Sequence, residues 1–237
     1  MRPRRALTEP VSFEDHAQGN WDSAIALVEY GDYECSRTRR SWLRLRVLQR
    51  ELRGRLLYVF RHFPREAIHP HARLAATVGE AAAVQGEFWT MHDYLLRRQQ
   101  ALSAPNLARY AVDLSLDRAR FERDRISGEI PERIERGLIS GQGTGVIRTP
   151  TFFINSVRHE GPSKLASLRA AVIAPEHGNL SNPIISAPCH LPSAEPIAAR
   201  WSNRVRDNLR GALARGMRSH ARISVEFCEA DSLGVGG

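Results

Sequence analysis

The run Ile25-Ala26-Leu27-Val28-Glu29-Tyr30-Gly31-Asp32-Tyr33-Glu34-Cys35 joins an apolar segment of strand length to a single cysteine. Residues 25–30 predict a buried strand, and Gly31-Asp32 ends it. Apolar residues then recur at helical spacing over residues 36–53, with arginines on the other face. The cysteine is therefore expected where a strand ends and a helix begins.

The segments that follow predict an α/β protein. Leu56–Phe60 is a second buried-strand candidate, and its short return loop implies parallel pairing with the first strand through a right-handed crossover. Residues 66–145 are helical in pattern almost throughout, with Gly141, Gly143 and Gly145 expected to close the region. A third strand is predicted at 151–155 and a last helix at 163–172.

Composition places the chain among ordinary globular proteins. Of its 237 residues, 42% are hydrophobic and 25% charged, and no apolar run reaches the roughly 18 residues of a membrane span. The N-terminus lacks the apolar stretch of a signal peptide, so we expect a cytoplasmic location. The net charge of +8 comes from arginines scattered among acids, since Lys164 is the only lysine, and it predicts no specific nucleic-acid partner.

The cysteine count predicts neither a disulfide framework nor a resident metal. Cys35, Cys189 and Cys228 are odd in number and widely spaced. His62, His69 and His71 could suggest a metal site with Cys35. Their spacing matches no common metal motif, so no metal site is predicted. His92 lies on an apolar helical stripe and is expected in the core. No cofactor is predicted.

Cys35 lies where a thiolate would be stabilised. The first turn of a helix has free N–H groups and a partial positive charge, and both favour thiolate over thiol. Arg37 and its neighbours add positive charge, whereas Glu34 opposes them. The alternative is that Cys35 is a small buried residue without chemistry, as free cysteines commonly are.

A second motif, Thr149-Pro150, directly precedes the predicted strand at 151–155. A proline in this position can be cis, which exposes backbone groups to an extended peptide, or trans as the first residue of the strand.

Several stretches together resemble the thioredoxin superfamily, and more closely its DsbA-like branch with a helical insertion. The resemblance covers about residues 11–173 and includes the similar domain fused to some sodium/proton antiporters. The matching stretches, in order, are residues 27–35, Phe60-Arg61-His62-Phe63-Pro64, Ile68-His69-Pro70-His71-Ala72, residues 85–92 and residues 149–155. The resemblance implies a four-stranded core with the helical insertion between its second and third strands.

The resemblance also implies a redox pair Cys-Pro-x-Cys, which this chain lacks. The tetrad reads Cys35-Ser36-Arg37-Thr38, so Thr38 occupies the resolving position, and Arg148 stands where glycine is common. Cys35 would be the nucleophile, and Thr38 could donate a hydrogen bond to its sulfur but cannot attack a disulfide. Ser36, Arg37, Thr149 and Pro150 would contact the substrate.

Two functions follow from this altered tetrad. The first is a monothiol thiol–disulfide oxidoreductase acting on protein or small-molecule thiols and disulfides, with glutathione or a similar thiol releasing the mixed disulfide. Cys189 or Cys228 could resolve it instead. The second is an inactive thioredoxin-like scaffold that binds extended peptides at the Pro150 groove.

The expected domain organisation has three parts. Residues 1–24 form an irregular N-terminal extension or edge segment. Residues 25–173 form the DsbA-like thioredoxin domain, with its helical insert at about 66–145. Residues 174–237 contain five of the thirteen prolines and a fading apolar pattern, and are expected to lie outside the folded domain.

Overall fold

Five strands form one mixed sheet in a computed structural model that describes residues 6–174. The strands are β1 (His16–Gln18), β2 (Ile25–Gly31), β3 (Leu56–His62), β4 (Thr151–Ile154) and β5 (Val157–Arg158). Their order in the sheet is β1-β3-β2-β4-β5. The central strand β2 is buried along its whole length, as expected for a strand covered on both faces.

The predicted strand–helix–strand unit at the start of the domain is confirmed. β2 pairs in parallel with β3, in a register that runs from Ile25 opposite Leu56 to Gly31 opposite His62. Helix α1 (Ser36–Glu51) connects them. β4 then pairs antiparallel with the other edge of β2, which places Tyr30 opposite Thr151.

Five helices lie between β3 and β4, which confirms the thioredoxin-like fold with a helical insertion between its core strands. They are α2 (Ala72–Val84), α3 (Phe88–Arg97), α4 (Ala104–Asp113), α5 (Arg118–Arg125) and α6 (Glu129–Gly143). A last helix, α7 (Leu165–Ile173), follows β5. No helix within residues 6–174 combines the length and apolarity needed to cross a bilayer. The segment 175–237 lies outside the described residues.

Part of the N-terminal segment, expected to be an irregular extension or an edge segment, forms an edge strand of the sheet. Residues His16–Gln18 form β1, which pairs antiparallel with β3 and places His16 opposite Phe60. The sheet therefore has five strands rather than the implied four. A three-residue strand is too short to show an alternating apolar pattern, so its sequence carried no strand signal.

The glycines at the end of the insertion also differ from the prediction. α6 continues through Gly141 to Gly143 instead of ending before them. A Cβ at Gly141 would lie 2.5 Å from the Phe63 ring, so the absence of a side chain serves close packing inside the helix. Only Gly145, with φ of 75°, serves the predicted role of ending the helical region.

The alternating side chains of the sheet fill two apolar layers. One layer joins Leu27, Tyr58, Phe60 and Phe152 to the helices, whereas the other contains Val28, Leu57, Val59 and Phe153. Both faces of the central strands are thus buried, and their ends are fixed in position for the loops that leave them.

Gly137 in α6 sets how closely this helix approaches the end of β3. A Cβ at Gly137 would lie 2.6 Å from the backbone oxygen of His62, a contact that requires the helix or the strand to move. We expect Gly137→Ala to lower the free energy of unfolding by about 1–3 kcal/mol, measured by urea denaturation.

Gly128 provides the matched control for this prediction. Its φ of −60° suits alanine, and nothing lies within 4 Å of an added Cβ. Gly128→Ala should leave stability unchanged or raise it by up to about 1 kcal/mol. Equal effects of the two substitutions would contradict close packing at Gly137.

Candidate active site

Cys35 is the N-cap residue of α1. Its backbone is extended, with φ of −76° and ψ of 115°, and its N–H donates to the carbonyl of Asp32 at 3.1 Å. The Cys35 carbonyl accepts the first helical hydrogen bond, from Arg39 at 3.2 Å. The sulfur therefore stands at the end of the helix where free N–H groups favour negative charge.

The fold brings the Cys35 side chain to the segment before β4. The thiol donates a hydrogen bond of 3.3 Å to the carbonyl oxygen of Thr149, and the Thr149–Pro150 peptide bond is cis. The Thr149 hydroxyl is buried and has no hydrogen-bond partner among the described residues. Two motifs 114 positions apart in sequence thus form one site.

Thr38 is buried one turn into α1, and it does not make the expected hydrogen bond to the Cys35 sulfur. Its hydroxyl oxygen instead accepts a hydrogen bond of 3.4 Å from the N–H of Asp32. Within residues 6–174 the Cys35 sulfur bonds only to the Thr149 carbonyl. The residue at the resolving position therefore holds the loop that precedes the cysteine.

The other residues that the sequence singled out near the site differ in their exposure to solvent. Ser36, Arg37 and Arg148 are exposed, whereas Thr149 and Pro150 are buried. Cys35 itself is 7% exposed, so a small part of the residue reaches solvent. The buried cysteine is thus adjacent in sequence to exposed polar and cationic residues.

Asp32 fixes the loop between β2 and Cys35, a role that the sequence did not indicate. Its buried carboxylate accepts hydrogen bonds from the N–H of Glu34 at 2.8 Å and from the N–H of Arg65 at 3.0 Å. It also pairs with Nδ1 of His69 at 2.7 Å. Three donors satisfy a charge that would otherwise be costly to bury.

The helical insertion holds the same loop from its other side. Glu34 accepts hydrogen bonds from the backbone N–H and from Nδ1 of His71, just before α2. The Tyr33 carbonyl accepts a bond of 2.7 Å from the Gln99 side chain. Glu34 thus pairs with a histidine of the insertion, and the insertion positions the cysteine.

Glu29 is a buried acid on β2 that was not predicted as a site residue. Its carboxylate accepts hydrogen bonds from Ser41 of α1 at 2.9 Å and from Tyr58 of β3 at 2.7 Å. Burial raises the pKa of Glu29 to about 7, which the two hydrogen bonds only partly offset. A lone carboxylate within the apolar run 25–30 is the signal that could have identified it.

Cys35 caps a helix that follows the central strand β2 after a short loop, and its side chain contacts the segment before β4. This arrangement is typical of a thioredoxin-like domain of the DsbA type. The sequence profile of the Thioredoxin_4 family, described as Thioredoxin, matches residues 12–174. The chain belongs to this family, and the match extends across the sheet, the insertion and α7.

Relatives of known sequence are sodium/proton antiporters. The chain is 39% identical over 160 residues to Na(+)/H(+) antiporter NhaA 3 of Salinispora tropica, a match that covers 68% of this chain and 24% of the antiporter. It is also 39% identical over 184 residues to Na(+)/H(+) antiporter NhaA of Herminiimonas arsenicoxydans, covering 76% and 29%. The chain spans about a quarter of the length of these relatives.

Solved structures with the same fold are thiol–disulfide exchange proteins and their kin. The thiol-disulfide exchange protein alpha-DsbA2 of Wolbachia pipientis superposes with a TM-score of 0.61 at 20% identity, over 68% of this chain and 86% of its own. A thioredoxin-like oxidoreductase from Silicibacter pomeroyi gives 0.62 at 24% identity, covering 68% and 91%. These likenesses show the fold.

The raised pKa of Glu29 predicts a pH-dependent contribution to stability. The folded protein holds the Glu29 proton up to about pH 7, whereas an unfolded chain releases it near 4.5. This contribution to the free energy of unfolding therefore falls by about 3 kcal/mol as pH rises from 4.5 to 7. Glu29→Gln should abolish that loss.

Urea denaturation of both proteins at pH 5 and pH 8 measures this effect. We expect the stability of the variant relative to the parent to improve at the higher pH, since other titrating groups cancel in the difference. Glu132→Gln, which changes an exposed glutamate, is the control and should show no such trend. A pH-independent difference for Glu29→Gln would contradict the raised pKa.

Proposed function

We propose that this domain is a monothiol thiol–disulfide oxidoreductase in which Cys35 is the nucleophile. The observation that carries the proposal is the Cys35 sulfur at the N-terminus of α1, hydrogen-bonded to the Thr149 carbonyl beside the cis-proline. This position brings the sulfur next to the segment before β4, whose backbone groups can align an extended substrate.

The reaction consists of two thiol–disulfide exchanges. The Cys35 thiolate attacks one sulfur of a substrate disulfide, forms a mixed disulfide and releases the other sulfur as a thiolate. An external thiolate then attacks the mixed disulfide and regenerates Cys35. Each step breaks one sulfur–sulfur bond and forms one, so the electron pair passes to the leaving sulfur and no other oxidant is needed.

Thr38 is the reason for proposing a monothiol rather than a dithiol mechanism. A hydroxyl cannot form a disulfide with Cys35, and the Thr38 side chain bonds to the Asp32 backbone instead. The site therefore cannot store two electrons, and it suits disulfide isomerisation or removal of a small-thiol adduct.

Exposed charge next to Cys35 and Thr149 favours a small acidic thiol as the resolving partner. Arg37 follows Cys35 by two residues, Arg148 directly precedes Thr149, and both arginines are exposed, whereas Cys35 is 7% exposed. Glutathione has two carboxylates and one ammonium, so exposed arginines next to the cysteine and to Thr149 attract it. The proposal rests on these residues and not on the ion exchange named for the antiporter relatives, which extend far beyond the matched stretch.

A peptide-binding scaffold without turnover is the second candidate. Ile147 is 71% exposed next to Arg148 and two residues before Thr149, and it offers an apolar contact to an extended chain. Turnover distinguishes the two candidates.

Catalysis is tested with a peptide carrying a glutathione mixed disulfide and excess reduced glutathione. We expect the parent to accelerate release of the free peptide and Cys35→Ser to show no rate above background. Mass spectrometry of proteolytic peptides should detect a covalent glutathione adduct on Cys35 of the parent, whereas the corresponding peptide of Cys35→Ser should carry none. Peptide binding without turnover or adduct in the parent would refute the enzyme and favour the scaffold.

Restoring the second sulfur tests the monothiol mechanism. Thr38→Cys should form an internal disulfide with Cys35 and oxidise a reduced dithiol peptide faster than the parent, by roughly tenfold or more. Thr38→Ser keeps the hydroxyl without a sulfur and is the matched control, which should show no gain. Dithiol oxidation by the parent at the rate of Thr38→Cys would contradict a one-cysteine site.

A further inference from the structure

Three metal-ligating side chains from separate elements meet beside the end of β3. They are His16 of β1, His62 of β3 and Glu80 of α2, and all three are buried. Their ligand atoms lie within 4.8 Å of one another. None of them belongs to the site around Cys35. Of the three, only His62 is among the histidines that the sequence suggested as candidate ligands.

Both imidazoles direct Nε2 at the same carboxylate oxygen. His16 Nε2 makes a hydrogen bond of 2.8 Å to Oε1 of Glu80, and His62 Nε2 lies 2.9 Å from that oxygen. The contact at His62 does not meet hydrogen-bond geometry, so the buried Nε2 has a short polar contact to Glu80 but no hydrogen bond among the described residues. A buried nitrogen in this state is costly, and a bound cation would satisfy it.

The spacing of the three atoms is close to that of a tetrahedral metal site. Zinc bonds to nitrogen and oxygen of about 2.0–2.1 Å place neighbouring ligands about 3.3 Å apart. The two separations of 2.8 and 2.9 Å are a few tenths of an ångström shorter. A small opening of the cluster would therefore admit the ion.

Packing around the cluster holds the ligands in orientation. The His16 ring stacks on Phe88 with centroids 3.4 Å apart, and the His62 ring meets Phe60 edge-on at 5.4 Å. Arg133 lies 2.9 Å from the second Glu80 oxygen and leaves Oε1 directed at the histidines. Such outer contacts orient metal ligands, although the arginine charge lowers affinity for a cation.

Space for a fourth ligand lies next to the three side chains. A partly open cavity of about 60 Å³ is lined by all three, together with Asp15 and Arg61. This volume accommodates a water molecule and connects the cluster to solvent. Asp15 is already paired with Arg61 at 2.8 Å, so water is the expected fourth ligand.

We propose that His16, His62 and Glu80 bind one Zn²⁺ ion, with water completing a four-coordinate site. Two imidazoles and one carboxylate are a ligand set that zinc uses with an open fourth position, whereas Mg²⁺ and Ca²⁺ prefer oxygen alone. The ion would join the edge strand β1 to β3 and to the first helix of the insertion. This site is independent of the proposed thiol chemistry.

The test uses the full chain with Cys35, Cys189 and Cys228 replaced by serine, so that no thiol can bind metal. After chelator treatment, calorimetric titration with Zn²⁺ should show one ion bound per chain. Titration with Co²⁺ should give the visible absorption of a four-coordinate site without thiolate ligands. At a hundredfold excess over Kd, zinc should raise Tm by about 5–10 °C.

Two variants of this thiol-free protein locate the site. His62→Gln should remove zinc binding and the cobalt spectrum, while its circular dichroism shows a folded domain. His71→Gln changes a half-exposed histidine outside the cluster and should bind zinc as the parent does. If His62→Gln does not fold, the cobalt spectrum of the parent decides the question.

Three results would overturn the proposal. The first is no binding of Zn²⁺ or Co²⁺ by the folded thiol-free parent at micromolar concentrations. The second is binding of undiminished affinity in His62→Gln. The third is loss of binding in His71→Gln alone, which would place the ion at the surface histidines.

Discussion

The carboxylate of Asp32 makes the contacts on which the position of the Cys35 sulfur depends. The carboxylate accepts hydrogen bonds from two backbone N–H groups and pairs with His69. The backbone N–H of Asp32 donates to the Thr38 hydroxyl, and the backbone carbonyl of Asp32 accepts from the Cys35 N–H. These bonds join the end of β2, the first turn of α1 and the approach to the insertion. Because the charge is buried, the donors must stay in place, which fixes the loop and the sulfur together.

The threonine at the resolving position fits this loop as a structural residue. The Thr38 oxygen accepts the Asp32 N–H, whereas a cysteine sulfur would be a weaker acceptor there. The chain thus has a hydrogen bond to its own backbone where the DsbA-like pattern has a second sulfur. Within the described residues, the loop is thus supported by a hydroxyl at the position where that pattern has the second sulfur.

The sequence predicted the parts of the fold that depend on local pattern. The apolar run 25–30, the helical spacing after Cys35 and the proline before residue 151 each carry a signal within a few neighbouring positions. The thioredoxin-like fold was implied by the resemblance of these and further stretches to that superfamily. The strand at His16–Gln18 was missed because its three residues take their structure from pairing with β3. Arg65 and His69, two of the partners of Asp32, were missed for a similar reason, since they lie 33 and 37 positions away in sequence.

Buried polar groups show most clearly what local patterns omit. Glu29 stands inside an apolar strand, and its two donors come from α1 and β3, so their identity requires the packed structure. His16 and Glu80 are 64 positions apart, and neither has a neighbour in sequence that suggests a ligand set. Contacts of this kind depend on strand register and on the angle at which α2 packs, which no window of residues specifies. The partners of the buried charged groups in this domain are therefore set by tertiary packing. Among these polar features, the sequence pattern alone indicated Cys35 at the start of α1.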